Sequence, residues 1–266
     1  MTTSKSLPII GAQKPRDAPP SREQLEGRTL AAAQHLLDDG DLEQALHTLA
    51  PLAVEPTSPV RAHAALLQAG VLLMLGRASD ALQLLEHVPR TPAFALDEGY
   101  RCMLMACALR AQRRYADALA SAQAAVELGP SVGRLLVLAD AQKHAGLLAA
   151  AIATLEGLLA REHSHATALA QLAGYYHLAG APNDGTRVFA AFHAAVAREG
   201  TAASADVLRN EAFYFATLGD LDSTVAALAG ALALEPAATR GYIADEIELD
   251  RFRSLAVFRA LASSYS

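Results

Sequence analysis

The sequence predicts an all-α protein, a solenoid of about six helical hairpins that further helices close at the C-terminal end. Three observations support this prediction. Hydrophobic residues, most of them Ala and Leu, make up 52% of the chain. One spacing of small residues and Gly recurs six times. Pro residues follow several of the predicted second helices, where they prevent the helix from continuing.

The composition favours helices over a β-sandwich or barrel. Ala and Leu are the least costly residues in a helix, whereas strands are enriched in aromatic and β-branched side chains. The chain of 266 residues has only 5% aromatic residues and no Trp. Charged residues are 19% of the chain, so enough apolar surface exists to form a large core rather than a disordered chain.

The repeat is defined by a fixed internal spacing. Ala33 stands seven residues before Gly40, and Gly40 stands five before Ala45. The further copies are Ala69-Gly76-Ala81, Ala106-Arg113-Ala118, Ala139-Gly146-Ala151, Ala173-Gly180-Gly185 and Ala212-Gly219-Thr224. Only the distance between copies varies, as expected when one structural unit is joined by loops of different length.

The residue type in each column of the repeat has a physical explanation. A small residue in the first and third columns lets the two helices of a hairpin lie close together. Gly in the middle column ends the first helix, where a left-handed residue satisfies unpaired carbonyls. Arg113 interrupts this column, so the sequence predicts a different turn geometry in the third copy. Pro56, Pro89, Pro130 and Pro236 follow second helices.

Two segments carry a family resemblance. Residues 211–236, EAFYFATLGDLDSTVAALAGALALEP, and residues 104–130, which end in AVELGP, resemble the tetratricopeptide repeat. The resemblance covers residues 26–236 approximately. It implies a right-handed superhelix whose first helices line a concave face, and a protein or peptide partner for that face. It implies no enzymatic activity.

The chain divides into three predicted parts. Residues 1–20 are broken by Pro and Gly and have no long apolar core, which indicates a disordered leader rather than a secretory signal. Residues 21–236 form the solenoid. Residues 237–266 resemble the C-terminal capping helices of some bacterial repeat proteins of this kind. A cap is needed because an open solenoid end exposes its hydrophobic core. Phe252, Leu255, Phe258 and Leu261 fall at helical spacing and are expected to form this cover.

Charge and cysteine usage limit the partners and the compartment. The net charge of −6 and the lack of a basic run longer than Arg113-Arg114 argue against nucleic acid. No apolar run is long enough for membrane insertion. Cys102 and Cys107 lie five apart on one predicted helix, where they do not easily form a bridge. Free thiols and the lack of a signal peptide predict a cytoplasmic protein.

Motifs with catalytic or metal chemistry are weak. The sequence has no Gly-rich phosphate loop, HExxH, CxxC or nucleophile elbow. His163 and His165 have metal-ligand character, but in a loop they are interpreted as solvated and idle. The acidic run from Asp245 to Asp250 is interpreted as a solvated stretch. The sequence therefore predicts no catalytic residue, metal ligand or cofactor.

The predicted functional surface is the concave wall of the first helices. Its first half is apolar and its second half is polar with both charges. The predicted groove residues are Leu30, Leu66, Leu73, Met74, Tyr100, Met103, Arg110, Asp140, Lys143, His144, His177, Arg209, Asn210 and Phe213. An apolar groove suits a helix or an extended peptide.

The leading hypothesis is a non-catalytic protein-interaction module that holds an apolar or amphipathic peptide segment, as an assembly factor or chaperone does. A self-associating scaffold, and hence a homo-oligomer, is the alternative, since oligomers also use exposed apolar patches. An enzyme or a metal-binding protein within a helical solenoid is the third hypothesis, for which the sequence offers no constellation of residues.

Overall fold

The computed structural model describes residues 21–54, 60–88, 95–200 and 204–263. The predicted leader, residues 1–20, lies outside the described residues. Within the described ranges the chain is helical and has no strand. The helices are α1 (Arg22–Asp38), α2 (Leu42–Val54), α3 (Arg61–Met74), α4 (Ala78–Glu86), α5 (Ala95–Ala111), α6 (Tyr115–Glu127), α7 (Val132–His144), α8 (Leu148–Leu159), α9 (Ala166–Leu178), α10 (Pro182–Glu199), α11 (Ala205–Leu218), α12 (Leu221–Leu234), α13 (Pro236–Asp245) and α14 (Ala256–Ser263), with a 3₁₀ segment, Ile247–Phe252, before α14.

Consecutive helices pack as hairpins, and the hairpins stack into a solenoid. The pairs are α1 with α2, α3 with α4, α5 with α6, α7 with α8, α9 with α10, and α11 with α12. First helices also contact first helices of neighbouring hairpins, as α3 with α5, α5 with α7, and α9 with α11. The all-α solenoid that the sequence predicts is therefore confirmed, and several neighbouring first helices pack on one another.

The small columns of the repeat are buried where helices touch. The first-column Ala residues, from Ala33 to Ala212, are at most 1% exposed. In the third column, Gly185 shows why size matters: a Cβ there would lie 2.8 Å from the carbonyl oxygen of Ala173 on the facing helix. Contacts this short leave no room for a larger side chain, so the small residues fix how closely each hairpin packs.

The turn of the third copy corrects one prediction. Arg113 was expected to give a different geometry, but its φ of +61° is close to the +78° of Gly40. The hydrogen bonds of this turn also follow the pattern of the turn at Gly40. The Arg114 amide donates to the Leu109 carbonyl at 2.9 Å, and the Arg113 amide donates to the Arg110 carbonyl at 2.8 Å. The prediction was wrong because the packing of the two helices requires the left-handed turn whichever residue occupies it.

The chain after α12 turns back onto the surface of the first helices. α13 packs against α12, α11 and α3, the 3₁₀ segment packs against α11, and α14 packs against α12. The crossing of α13 over α3 is tight, because a Cβ on Gly241 would lie 2.1 Å from the carbonyl oxygen of Met74. We call residues 236–252 the return segment, since they connect the last hairpin to the second.

The predicted cover residues divide between core and surface. Phe252, Phe258 and Leu261 are buried in a cluster that includes Leu228 and Leu232 of α12. They therefore cover the apolar end of the last hairpin. Leu255 is 39% exposed and lies outside that cluster, so its predicted place in the cover is wrong. The turn before α14 directs this residue outward.

Candidate functional site: the groove wall and the return segment

An apolar cavity of about 500 Å³ lies between the first helices and the return segment. One side is formed by α1, α3 and α5, and the other by α11 and α13. Its apolar lining comes from Leu37, Leu67, Val71, Leu73, Met74, Tyr100, Leu104, Ala238 and Tyr242, and its polar lining includes Arg110, Asp206, Arg209, Asp245 and Glu246. Met74 is 44% exposed, so this wall is accessible from solvent. The cavity can receive an apolar group with a polar end.

A charged cluster closes the polar side of the groove. Arg110 of α5 pairs with Asp140 of α7 at 3.0 Å between Nε and Oδ2. Lys143 donates to Glu248 of the return segment at 2.7 Å, with both side chains largely buried. His144 Nε2 lies 3.3 Å from Asp140 Oδ1, but without hydrogen-bond geometry. The cluster joins two first helices to the return segment through buried charges, which are costly to separate.

Burial and neighbouring charges shift the carboxyl pKa values in opposite directions. Burial alone would raise the pKa of Asp140, but Arg110, Lys143 and His144 hold it well below its usual value. Burial raises the pKa of Glu246 to about 8, and the adjacent Glu248 adds to that rise. Lys143 has a raised pKa because three carboxylates outweigh its own burial. The cluster therefore keeps its lysine charged beside carboxyl groups of unequal acidity.

Further polar contacts hold the return segment along the solenoid. Arg209 of α11 pairs with Glu235 at 2.9 Å and donates to the Thr239 hydroxyl at 3.1 Å. Arg113 pairs with Asp250. Arg251 donates to the carbonyl oxygen of Ala216 at 3.1 Å. These contacts come from the third and sixth hairpins, and Lys143 adds one from the fourth, so the segment is bound along much of the inner surface.

The predicted groove residues fall into three groups. Leu73, Met74, Tyr100, Arg110 and Arg209 line the cavity. Asp140, Lys143 and His144 lie in the charged cluster. The remaining residues lie elsewhere. Leu30 and Met103 are partly buried between helices, His177 lies beside Gly185 of α10, and Asn210 lies within hydrogen-bonding reach of Thr167. Leu66 and Phe213 are buried.

Two predicted wall residues require correction. Leu66 is 1% exposed and packs with Leu72, Leu85 and Leu104 in the core between hairpins. Phe213 is also buried, edge-to-face against Tyr175. Both were expected to be exposed in the free protein, and that expectation is wrong because they lie on the helix face that packs on neighbouring helices. Neither side chain is free to contact a partner.

Two interpretations of polar residues are also corrected. The acidic run was expected to be solvated, yet Glu246 is buried and Glu248 and Asp250 pair with cations of the groove wall. His165 was expected to be idle, but it is the N-cap of α9 and its Nδ1 accepts the Ala168 amide at 3.3 Å. An N-cap satisfies a helix amide that otherwise has no partner.

The return segment is what the sequence reasoning missed. A signal was present in the complementary charges of its acidic residues and of Arg110, Arg113 and Lys143 in the wall. Gly241 inside a predicted helix is a second signal, since Gly there permits close approach of another backbone. The repeat pattern ends before this segment, so periodicity alone does not place it.

Paired helices, recurrent left-handed turns and buried small columns define a helical-repeat solenoid with a fold of the tetratricopeptide type. In structure the chain is similar to PilW, described as a widely conserved type IV pilus biogenesis factor, with a TM-score of 0.58 and 18% identity over 86% of this chain and 98% of that one. It is similar to PilF of Pseudomonas aeruginosa, with a TM-score of 0.52 and 18% identity over 87% and 98%. It is also similar to a double mutant of MamA from RS-1, with a TM-score of 0.51 and 14% identity over 67% and 97%.

These likenesses support the fold. No protein-family model and no curated protein matches the chain. Among the described helices, none combines the length and the apolar character needed to cross a bilayer. The cytoplasmic location and the oligomeric state remain predictions.

Proposed function

We propose that the chain is a non-catalytic protein-interaction module that holds an apolar or amphipathic peptide segment of a partner in its groove, as an assembly factor or chaperone. The observation that carries the proposal is the apolar cavity of about 500 Å³ between α1, α3, α5 and α13. Tetratricopeptide-type solenoids offer concave surfaces of this kind, and pockets of this volume lie within the range of ligand sites.

The chain's own return segment supports the proposal. It is amphipathic: Ile243, Leu249 and Phe252 are buried, while Glu248 and Asp250 pair with cations of the wall. The inner surface of the hairpins therefore already binds one amphipathic segment, whose 3₁₀ part pairs with the polar half and whose α13 crosses α3. The apolar cavity between α3 and α13, which includes the exposed Met74, remains open to a second. PilW, described as a type IV pilus biogenesis factor, has a similar fold, which is consistent with a role in assembly.

The test uses a displayed library of short peptides selected on the purified chain. We expect apolar or amphipathic peptides to be enriched, and Met74→Glu to weaken the best binder by about tenfold or more, because a bound peptide must desolvate the carboxylate. The matched control is Leu128→Glu, since Leu128 is 51% exposed and does not line the cavity. Fluorescence anisotropy measures the affinities.

Two outcomes contradict the proposal. In the first, the selection enriches no apolar or amphipathic peptide. In the second, the best peptide binds the wild type and Met74→Glu with equal affinity. Light scattering of the same samples tests the alternative of self-association. A wild-type dimer that Met74→Glu converts to a monomer means that the apolar wall binds a second copy of the chain instead.

A further inference from the structure

Three potential metal ligands from distant parts of the chain meet at the charged cluster. His144 ends α7, whereas Glu246 and Glu248 belong to the return segment, about a hundred residues later. One ligand atom from each of the three side chains lies within 4.8 Å of the other two. Ligands that share a metal at bonds of about 2.1 Å lie roughly 3.3 Å apart, so the three side chains must draw closer together to bind one ion.

Two polar atoms of these side chains are buried without a hydrogen-bond partner. His144 Nε2 makes no hydrogen bond, and its side chain is 6% exposed. Glu248 Oε2 makes none either, although the other oxygen of that carboxylate accepts from Lys143. Buried polar atoms are almost always paired, so two unpaired atoms in side chains that meet within 4.8 Å point to a further binding partner.

The chemistry of the two unpaired atoms favours a cation as that partner. An imidazole nitrogen and a carboxylate oxygen are both metal-ligating atoms. Lys143 donates a hydrogen bond to one carboxylate oxygen of Glu248 and leaves the second oxygen available to another cation.

We propose that His144, Glu246 and Glu248 form a binding site for a divalent transition metal ion, with Zn²⁺ as the best match. One imidazole and two carboxylates are ligands that Zn²⁺ accepts, whereas Ca²⁺ and Mg²⁺ prefer oxygen alone. Water completes the coordination. Bound metal links α7 to the return segment and so fixes that segment in the groove. Of the three ligands only Glu246 also lines the apolar cavity, so the two proposals are tested on different residues: His144 and Glu248 for the metal, and Met74 for the peptide.

The test is calorimetric titration of the metal-free full chain with zinc chloride. We expect one ion per chain and an increase in melting temperature with zinc, since a ligand that binds only the folded state stabilises it. His144→Gln should weaken binding at least tenfold. The matched control is His193→Gln, a half-exposed histidine on α10 that also faces a carboxylate, Glu211, and it should bind as the wild type does.

Circular dichroism first establishes that each variant is folded. If His144→Gln does not fold, Glu248→Gln replaces it and should lose zinc binding in the same way. The absence of stoichiometric binding by the wild type overturns the proposal, as does wild-type affinity in a folded His144→Gln or Glu248→Gln. Binding that persists in these variants and is lost in His163→Ala with His165→Ala places the metal in the α8–α9 loop and also overturns it.

Discussion

Arg113 is the residue where local preference and the demands of the fold disagree. In the described part of the chain it is the only residue other than Gly with positive φ. The left-handed conformation costs an L-residue about 1–2 kcal/mol, and Gly avoids this cost. The side chain pairs with Asp250 of the return segment, but it is more than half exposed. Exposed ion pairs contribute little to folding stability, so the pair with Asp250 does not offset the strain of the left-handed backbone.

We predict that Arg113→Gly is more stable than Arg113→Ala by about 1 kcal/mol. Both variants lose the pair with Asp250, so their difference isolates the backbone conformation. Urea unfolding followed by circular dichroism measures it. Equal midpoints, or a more stable Ala variant, would mean that the turn changes conformation when the side chain changes.

Single residues also explain which parts of the groove were predictable. Leu73 and Tyr100 line the cavity, and they entered the predicted wall because helical spacing fixes the face of a residue relative to the small column. Leu66 and Phe213 were misplaced because first helices contact neighbours on several sides, and apolar residues look alike on each of them. Spacing alone does not distinguish a buried apolar face from an open one.

At the scale of elements, the hairpins were predictable and the return segment was not. The hairpins repeat, so six copies of one spacing support one another even where a single copy deviates, as at Arg113. The return segment occurs once, and its position depends on charge pairs such as Lys143 with Glu248, which are 105 residues apart. Pairings over such separations are not encoded by any local pattern.

The crossing of α13 over α3 gives a prediction at this scale. Gly241→Ala places a methyl group within 2.1 Å of the Met74 carbonyl oxygen, a backbone atom that cannot move without shifting α3. Overpacking of this kind costs typically about 1–3 kcal/mol. We therefore expect a lower melting temperature and faster proteolysis after Arg251 and Arg253, because the return segment is displaced.

The matched control is Gly157→Ala. Gly157 lies within α8, and a Cβ there meets no atom within 4 Å. Replacing an unconstrained helical Gly by Ala stabilises by about 0.5–1 kcal/mol. The two substitutions are therefore expected to shift the melting temperature in opposite directions: Gly241→Ala lowers it and Gly157→Ala raises it. A stabilising Gly241→Ala would show that α13 does not press on α3 in solution.

At the scale of the whole molecule, the return segment changes how a repeat array holds together. In a simple solenoid each hairpin contacts only its neighbours, and stability is a sum over adjacent units. Here α13 joins the last hairpin to the second, and the 3₁₀ segment carries charges paired with the third and fourth. These long-range contacts couple distant hairpins, so the array should unfold as one cooperative unit.

The corresponding prediction compares two truncated chains. A chain ending at Glu235 lacks the return segment and α14, and we expect its urea transition to broaden or divide, with a smaller m-value, because the hairpins unfold more independently. A chain ending at Ser254 lacks α14 but keeps the return segment. Its midpoint should fall, since Phe258 and Leu261 no longer cover the last hairpin, while its transition stays single. A sharp single transition in the shorter chain, with an m-value in proportion to its length, would show that neighbour contacts alone make the array cooperative.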